Sequence, residues 1–118
     1  MKKISFKEDV DPKDIWKFTD LCRILFTEVM YYFYENNLDL KITSLHSDRV
    51  NVKAISRTHE TGRAFDISIK RLSADQIVDI EKYFNCRFKN IAAISYSDGR
   101  ARCAIAKSDH IHFQVRPN

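Results

Sequence analysis

Apolar residues recur at three- and four-residue steps through Ile15, Phe18, Cys22, Leu25, Val29 and Phe33. That is the stripe of an amphipathic helix. Asp11-Pro12 supplies a cap followed by proline at the first helical position, and Asn36-Asn37 a stop. The pattern therefore predicts one long N-terminal helix, with the aromatic-rich stretch from Trp16 to Tyr34 in the core. The period changes at Leu40-Lys41-Ile42-Thr43, a short strand, and is lost over residues 45–58, which read as a loop. Alternation returns from Ala64 to Lys70, as in a half-buried strand. Ser73 can cap a second helix that buries Ile77, Ile80 and Phe84. Ile91–Tyr96 and Arg102–Ala106 flank Ser97-Asp98-Gly99-Arg100, whose Asp-Gly pair suits a tight hairpin, and His110–Val115 gives a last strand. The fold class predicted is α+β: a long N-terminal helix and a second helix packed on a small, mainly antiparallel sheet.

Composition narrows this picture. A chain of 118 residues with 44% hydrophobic positions supports a single domain, 1–118, with one core. No apolar run reaches the roughly 18 residues needed to span a bilayer. The opening MKKISFKEDV has two lysines but no apolar segment, so synthesis in the cytoplasm without a signal peptide is expected. The net charge of +4 and pI near 9.0 favour an anionic partner. The basic residues are scattered, without the dense stripe of a nucleic-acid binder, which ranks that partner last. Cys22, Cys86 and Cys103 are odd in number and form no C-x-x-C, so buried free thiols are expected.

The candidate chemistry gathers around histidine. His59 opens the string His59-Glu60-Thr61-Gly62-Arg63-Ala64-Phe65-Asp66. Gly62, one of two glycines, allows a sharp turn into the strand, and small Ala64 leaves room on the face of Asp66. That turn can bring the His59 imidazole near the Asp66 carboxylate. His110 and His112 lie two apart on a strand and point to one face. Two nitrogens and one carboxylate with a fourth position open to water is the donor pattern of a catalytic zinc site.

These two strings, H-x-x-G-x-A-x-D and then H-x-H, resemble the zinc-dependent D-alanyl-D-alanine carboxypeptidase family. That family takes in bacterial D-Ala-D-Ala dipeptidases and phage L-alanyl-D-glutamate endolysins. The amino-terminal domain of hedgehog signalling proteins shares its fold. The likeness spans residues 41 to 116. It implies a Zn2+ held by His59, Asp66 and His112, with Asp109 as general base and His110 facing the developing oxyanion. It implies a zinc metallopeptidase, D,D- or L,D-specific, acting on bacterial peptidoglycan peptides. Such a protein acts on the cell wall after release from the cytoplasm or as part of a virion.

Many members carry Thr-Ser-Gly-Tyr-Arg ahead of the first ligand, with the arginine near a substrate carboxylate. Here the string is Thr43-Ser44-Leu45-His46-Ser47. His46, Arg49 and Arg57 are then the candidate substrate-binding residues, and the loss of that arginine favours an endopeptidase over a carboxypeptidase. The alternative reading is a non-catalytic zinc-containing binding or structural module of a phage virion, since one fold can carry many functions.

Overall fold

The computed structural model describes residues 3–45, 58–95 and 98–117. It is α+β, with a five-stranded sheet in the order β1-β2-β3-β7-β6 and a two-stranded ribbon, β4-β5. The strands are β1 (Ile4–Phe6), β2 (Leu40–Ser44), β3 (Ala64–Ser68), β4 (Ala93–Ile94), β5 (Ala101–Arg102), β6 (Ala104–Ala106) and β7 (His110–Gln114). The helices are α1 (Asp20–Glu35) and α2 (Ala74–Arg87). The pair β1–β2 is parallel and every other pair is antiparallel, so the sheet is mixed but mainly antiparallel.

The single long N-terminal helix is not what forms. Asp11 does cap a start, accepting from the Lys13 amide, but the turn it begins is a 3-10 segment, Pro12–Lys17. Phe18 then leaves helical conformation, at φ −67° and ψ 143°. Thr19 caps α1 afresh by accepting from the Cys22 amide. The break has a tertiary cause: the Thr19 amide donates to the carbonyl of Gly62 at 3.0 Å, a bond that a continuous helix would forbid. Trp16, Tyr31 and Tyr34 are exposed, so the aromatic stretch is only partly core. Cys22, Leu25, Phe26, Val29 and Phe33 do face inward.

The second helix forms as its pattern predicts. Ser73 and Gln76 build a reciprocal capping box, and Ile80 and Phe84 are buried. The region 101–106 divides at Cys103 into β5, which pairs with β4, and β6, which pairs with β7. Cys22 and Cys103 are buried, and burial pushes both thiols up to about 12; the Arg63 guanidinium works weakly against this at Cys22. Cys86 is exposed instead of buried, and all three are free thiols.

What matters for the site is how β3 and β7 are held. Phe65 pairs with Phe113 and Ile67 with Ile111, and all four are fully buried against the helices. The two phenylalanine rings stack at 5.1 Å, and Phe84 meets Phe113 edge-on at 5.4 Å. Burying each such side chain contributes roughly 1.5–3 kcal/mol. Alternation then sends Asp66, Ser68, His110 and His112 to the opposite face. A one-residue slip would bury these charges and expose the aromatics, so the apolar side fixes the register of the polar side.

Candidate metal centre

His112 stands directly across from Asp66 in the β3–β7 ladder. Its Nδ1 lies 2.9 Å from Asp66 Oδ1. His59 arrives from the turn before β3. That turn is closed by the Arg63 amide on the Thr58 carbonyl, 2.8 Å, and by the Gly62 amide on the His59 carbonyl, 3.3 Å. Gly62 sits at φ +68°, and any Cβ there would overlap the Lys17 carbonyl oxygen. Arg63 ties the turn to the end of β7, donating from its guanidinium to the Val115 carbonyl at 3.1 Å. His59 Nε2 is thereby set 3.2 Å from Asp66 Oδ1. The two imidazole rings are 5.1 Å apart. Three potential ligand atoms, one from each residue, lie within 4.8 Å of one another.

The outer partners of the two rings decide what they present to each other. His59 Nδ1 is 2.8 Å from the Leu45 carbonyl, which only accepts, so Nδ1 carries the proton. His112 Nε2 is 3.1 Å from Gln114 Oε1. The Gln114 amide nitrogen donates to the carbonyls of Arg102, at 3.1 Å, and Ala93, at 3.5 Å, which fixes the amide's orientation. Gln114 Oε1 therefore accepts, and His112 Nε2 carries the proton. In their neutral forms the rings turn a lone pair from His59 Nε2 and another from His112 Nδ1 toward the anionic Asp66 oxygen. Three electron pairs at 2.9 and 3.2 Å repel unless a cation stands among them, either protons on the rings or a metal ion. Burial works against ionisation of Asp66, but the bonds from His112 and His59 outweigh it and hold the carboxyl well below the usual carboxylate range.

The three side chains could hold a metal ion. Bonds of about 2.0–2.1 Å in tetrahedral geometry set ligands roughly 3.3 Å apart, close to the two separations observed. Each imidazole also has the outer hydrogen-bond acceptor that metal-bound histidines usually keep. The side chains of His59, Asp66 and His112 are 21%, 16% and 13% exposed.

His110 flanks this group. Its Nε2 is 3.8 Å from Asp66 Oδ2, and its Nδ1 is bonded to Asp109 Oδ1 at 2.6 Å. That bond to His110 holds the exposed Asp109 carboxyl below its usual range. Asp109 thus meets the site through His110: it grips the nitrogen of that ring which is turned away from Asp66. Of the residues singled out in the sequence, His59, Asp66, His110 and His112 come together, with Asp109 behind His110. His46, Arg49 and Arg57 lie outside the described residues. Sequence reasoning missed Gln114, although alternation along β7 places it on the face of His110 and His112. It also missed the Leu45 carbonyl, a backbone group that leaves no side-chain signal.

No protein-family model, curated protein or solved structure matches the chain. The likeness to the zinc peptidases accordingly rests on its motif residues alone.

Proposed function

We propose that the chain is a zinc-dependent peptidase that hydrolyses a peptide bond in peptidoglycan stem or cross-linking peptides, of the kind used by phage endolysins or virion-associated lysins. The observation that carries the reading is the convergence of His59 Nε2, Asp66 Oδ1 and His112 Nδ1 with tautomers set from outside. The motif likeness described above supports the choice of substrate. A zinc ion held by His59, Asp66 and His112 would supply Lewis acidity, which can lower the pKa of water from about 15.7 to about 7.

The chain's own residues do the rest. Asp66 would contribute one anionic charge against two neutral imidazoles, so a dication held by the three would keep a net positive charge. His110 presents Nε2 beside the centre and Asp109 holds its Nδ1–H, which stabilises the ring when it takes up a proton. The pair can therefore accept a proton from the attacking water and return one to the leaving amine. Asp109 becomes the residue that orients the base, with His110 in direct reach of the reacting atoms.

Metal analysis tests the foundation. The wild type should retain near-stoichiometric zinc after dialysis, and His112→Ala should lose it. Equal metal in the two proteins would overturn the ligand assignment.

A further inference from the structure

The outer face of the sheet does not end at the metal centre. Ser68 pairs with His110. Ile42 pairs with Ile67, which brings Lys41 alongside Ser68, and Lys41 pairs with Ser5. His110, Ser68, Lys41 and Ser5 thus form one row across four strands. At about 4.8 Å per strand, the backbone of Lys41 lies roughly 10 Å from that of His110. The far half of the row opens into a cavity of about 260 Å³ lined by Lys3, Ser5, Asp39, Lys41, Ser68, Lys70 and Arg71.

The charges of this cavity are unequal. Asp39 is engaged by Arg71 at 3.2 Å and by the Lys3 amide at 3.3 Å. Lys3, Lys41 and Lys70 have no ion pair among the described residues. Ser68 accepts from the Lys70 backbone amide at 3.2 Å. Four cations against one carboxylate leave a strongly positive concavity joined to the catalytic face by a continuous strip. Its volume is below the roughly 300–1,000 Å³ of pockets that enclose a drug-sized ligand. It suits one short anionic group better than a polymer backbone.

We propose that this cavity is the subsite for a free carboxylate of the substrate peptide, positioned about three residues from the bond that is cut. An extended chain covers about 3.3–3.6 Å per residue, so three residues bridge the interval between His110 and Lys41. The inference rests on the peptidase reading for its substrate, and it places carboxylate recognition on β2 and the end of β3, away from the loop ahead of His59.

The test is binding, read separately from cleavage. The probe is fluorescein-labelled L-Ala-γ-D-Glu-L-Lys-D-Ala with free carboxylates, compared with the same peptide fully amidated. Fluorescence anisotropy with chelator and with zinc gives affinity, and mass spectrometry of the same samples gives cleavage. The wild type should bind the free-carboxylate peptide about tenfold more tightly in both conditions, as lost charge-assisted contacts imply. Lys41→Gln/Lys70→Gln should reduce that preference to within about threefold, and Lys41→Arg/Lys70→Arg should keep it. Both pairs lie on exposed or rim positions, and circular dichroism checks their fold. A preference that is absent in the wild type, or that survives the glutamine pair, overturns the subsite. So does stronger competition by poly(glycerol phosphate) than by the carboxylate peptide at equal charge. Cleavage without carboxylate preference would sink the subsite and spare the peptidase; carboxylate preference without cleavage would do the reverse.

Discussion

Gln114 shows how much a single buried amide can decide. Its nitrogen is committed to two carbonyls, so its oxygen must accept from His112 Nε2, and His112 Nδ1 is left to face Asp66. Gln114→Leu keeps most of the volume and removes the acceptor. Loss of such an outer partner typically costs 10–100-fold in metal affinity, and a zinc-competition titration should show a drop of about that size. Unchanged affinity would mean that the tautomer is set elsewhere. Asp109 plays the matching role for His110. Asp109→Asn should keep zinc and fold while reducing turnover by about 10²–10⁴-fold, the usual worth of a positioned proton-transfer group. Zinc lost together with activity would instead make Asp109 a support of the metal centre. Full activity in Asp109→Asn would free His110 of any need for it.

The elements carry the site by opposing two faces. Phe65, Ile67, Ile111 and Phe113 secure β3 and β7 from below, and the turn from His59 to Arg63 brings His59 to Asp66 from outside the sheet. Gly62 is the hinge of that arrangement. Gly62→Ala must place a side chain at φ +68° and against the Lys17 carbonyl. The left-handed conformation alone costs about 1–2 kcal/mol, and the backbone overlap adds to it. Chemical denaturation should register at least that loss, together with weaker zinc retention; a neutral substitution would contradict the close approach. Much of this was legible in the sequence. The 3.6-residue stripe of α1 and the capped α2 follow from local periodicity, and the strands around Asp66 and His112 follow from alternation. The break at Phe18 was not legible, because the Thr19–Gly62 bond joins residues far apart in the chain. Nor was β1, three residues long and paired in parallel with β2, since so short a run has no period of its own. The grouping of His59, Asp66 and His112 could be anticipated from their motifs, whereas the Asp109–His110 bond depends on rotamers that spacing does not specify.

At the scale of the whole molecule the His59–Asp66–His112 group is also a pH-sensitive part of the fold. The folded Asp66 carboxyl lies below its ordinary 3.8, so it binds fewer protons than in the unfolded chain across the interval between the two values. Its contribution to stability is therefore complete above 3.8 and fades as pH falls through that interval. In chelator, the stability advantage of the wild type over Asp66→Asn should shrink on acidification below 3.8; an advantage that held constant to pH 2 would contradict the coupling. The same face of the sheet carries the His59–Asp66–His112 group, the Asp109–His110 pair and the positive cavity.

The most direct measurement is a digestion. Purified peptidoglycan is incubated with metal-stripped protein and with the same protein reloaded with one equivalent of zinc, and the new peptide termini are identified by mass spectrometry. New amino and carboxyl termini at one kind of peptide bond, formed only by the zinc-loaded protein and absent with His112→Ala, are the predicted result. Stoichiometric zinc binding with no new termini on any wall preparation would contradict the enzyme and leave a zinc-binding module in its place.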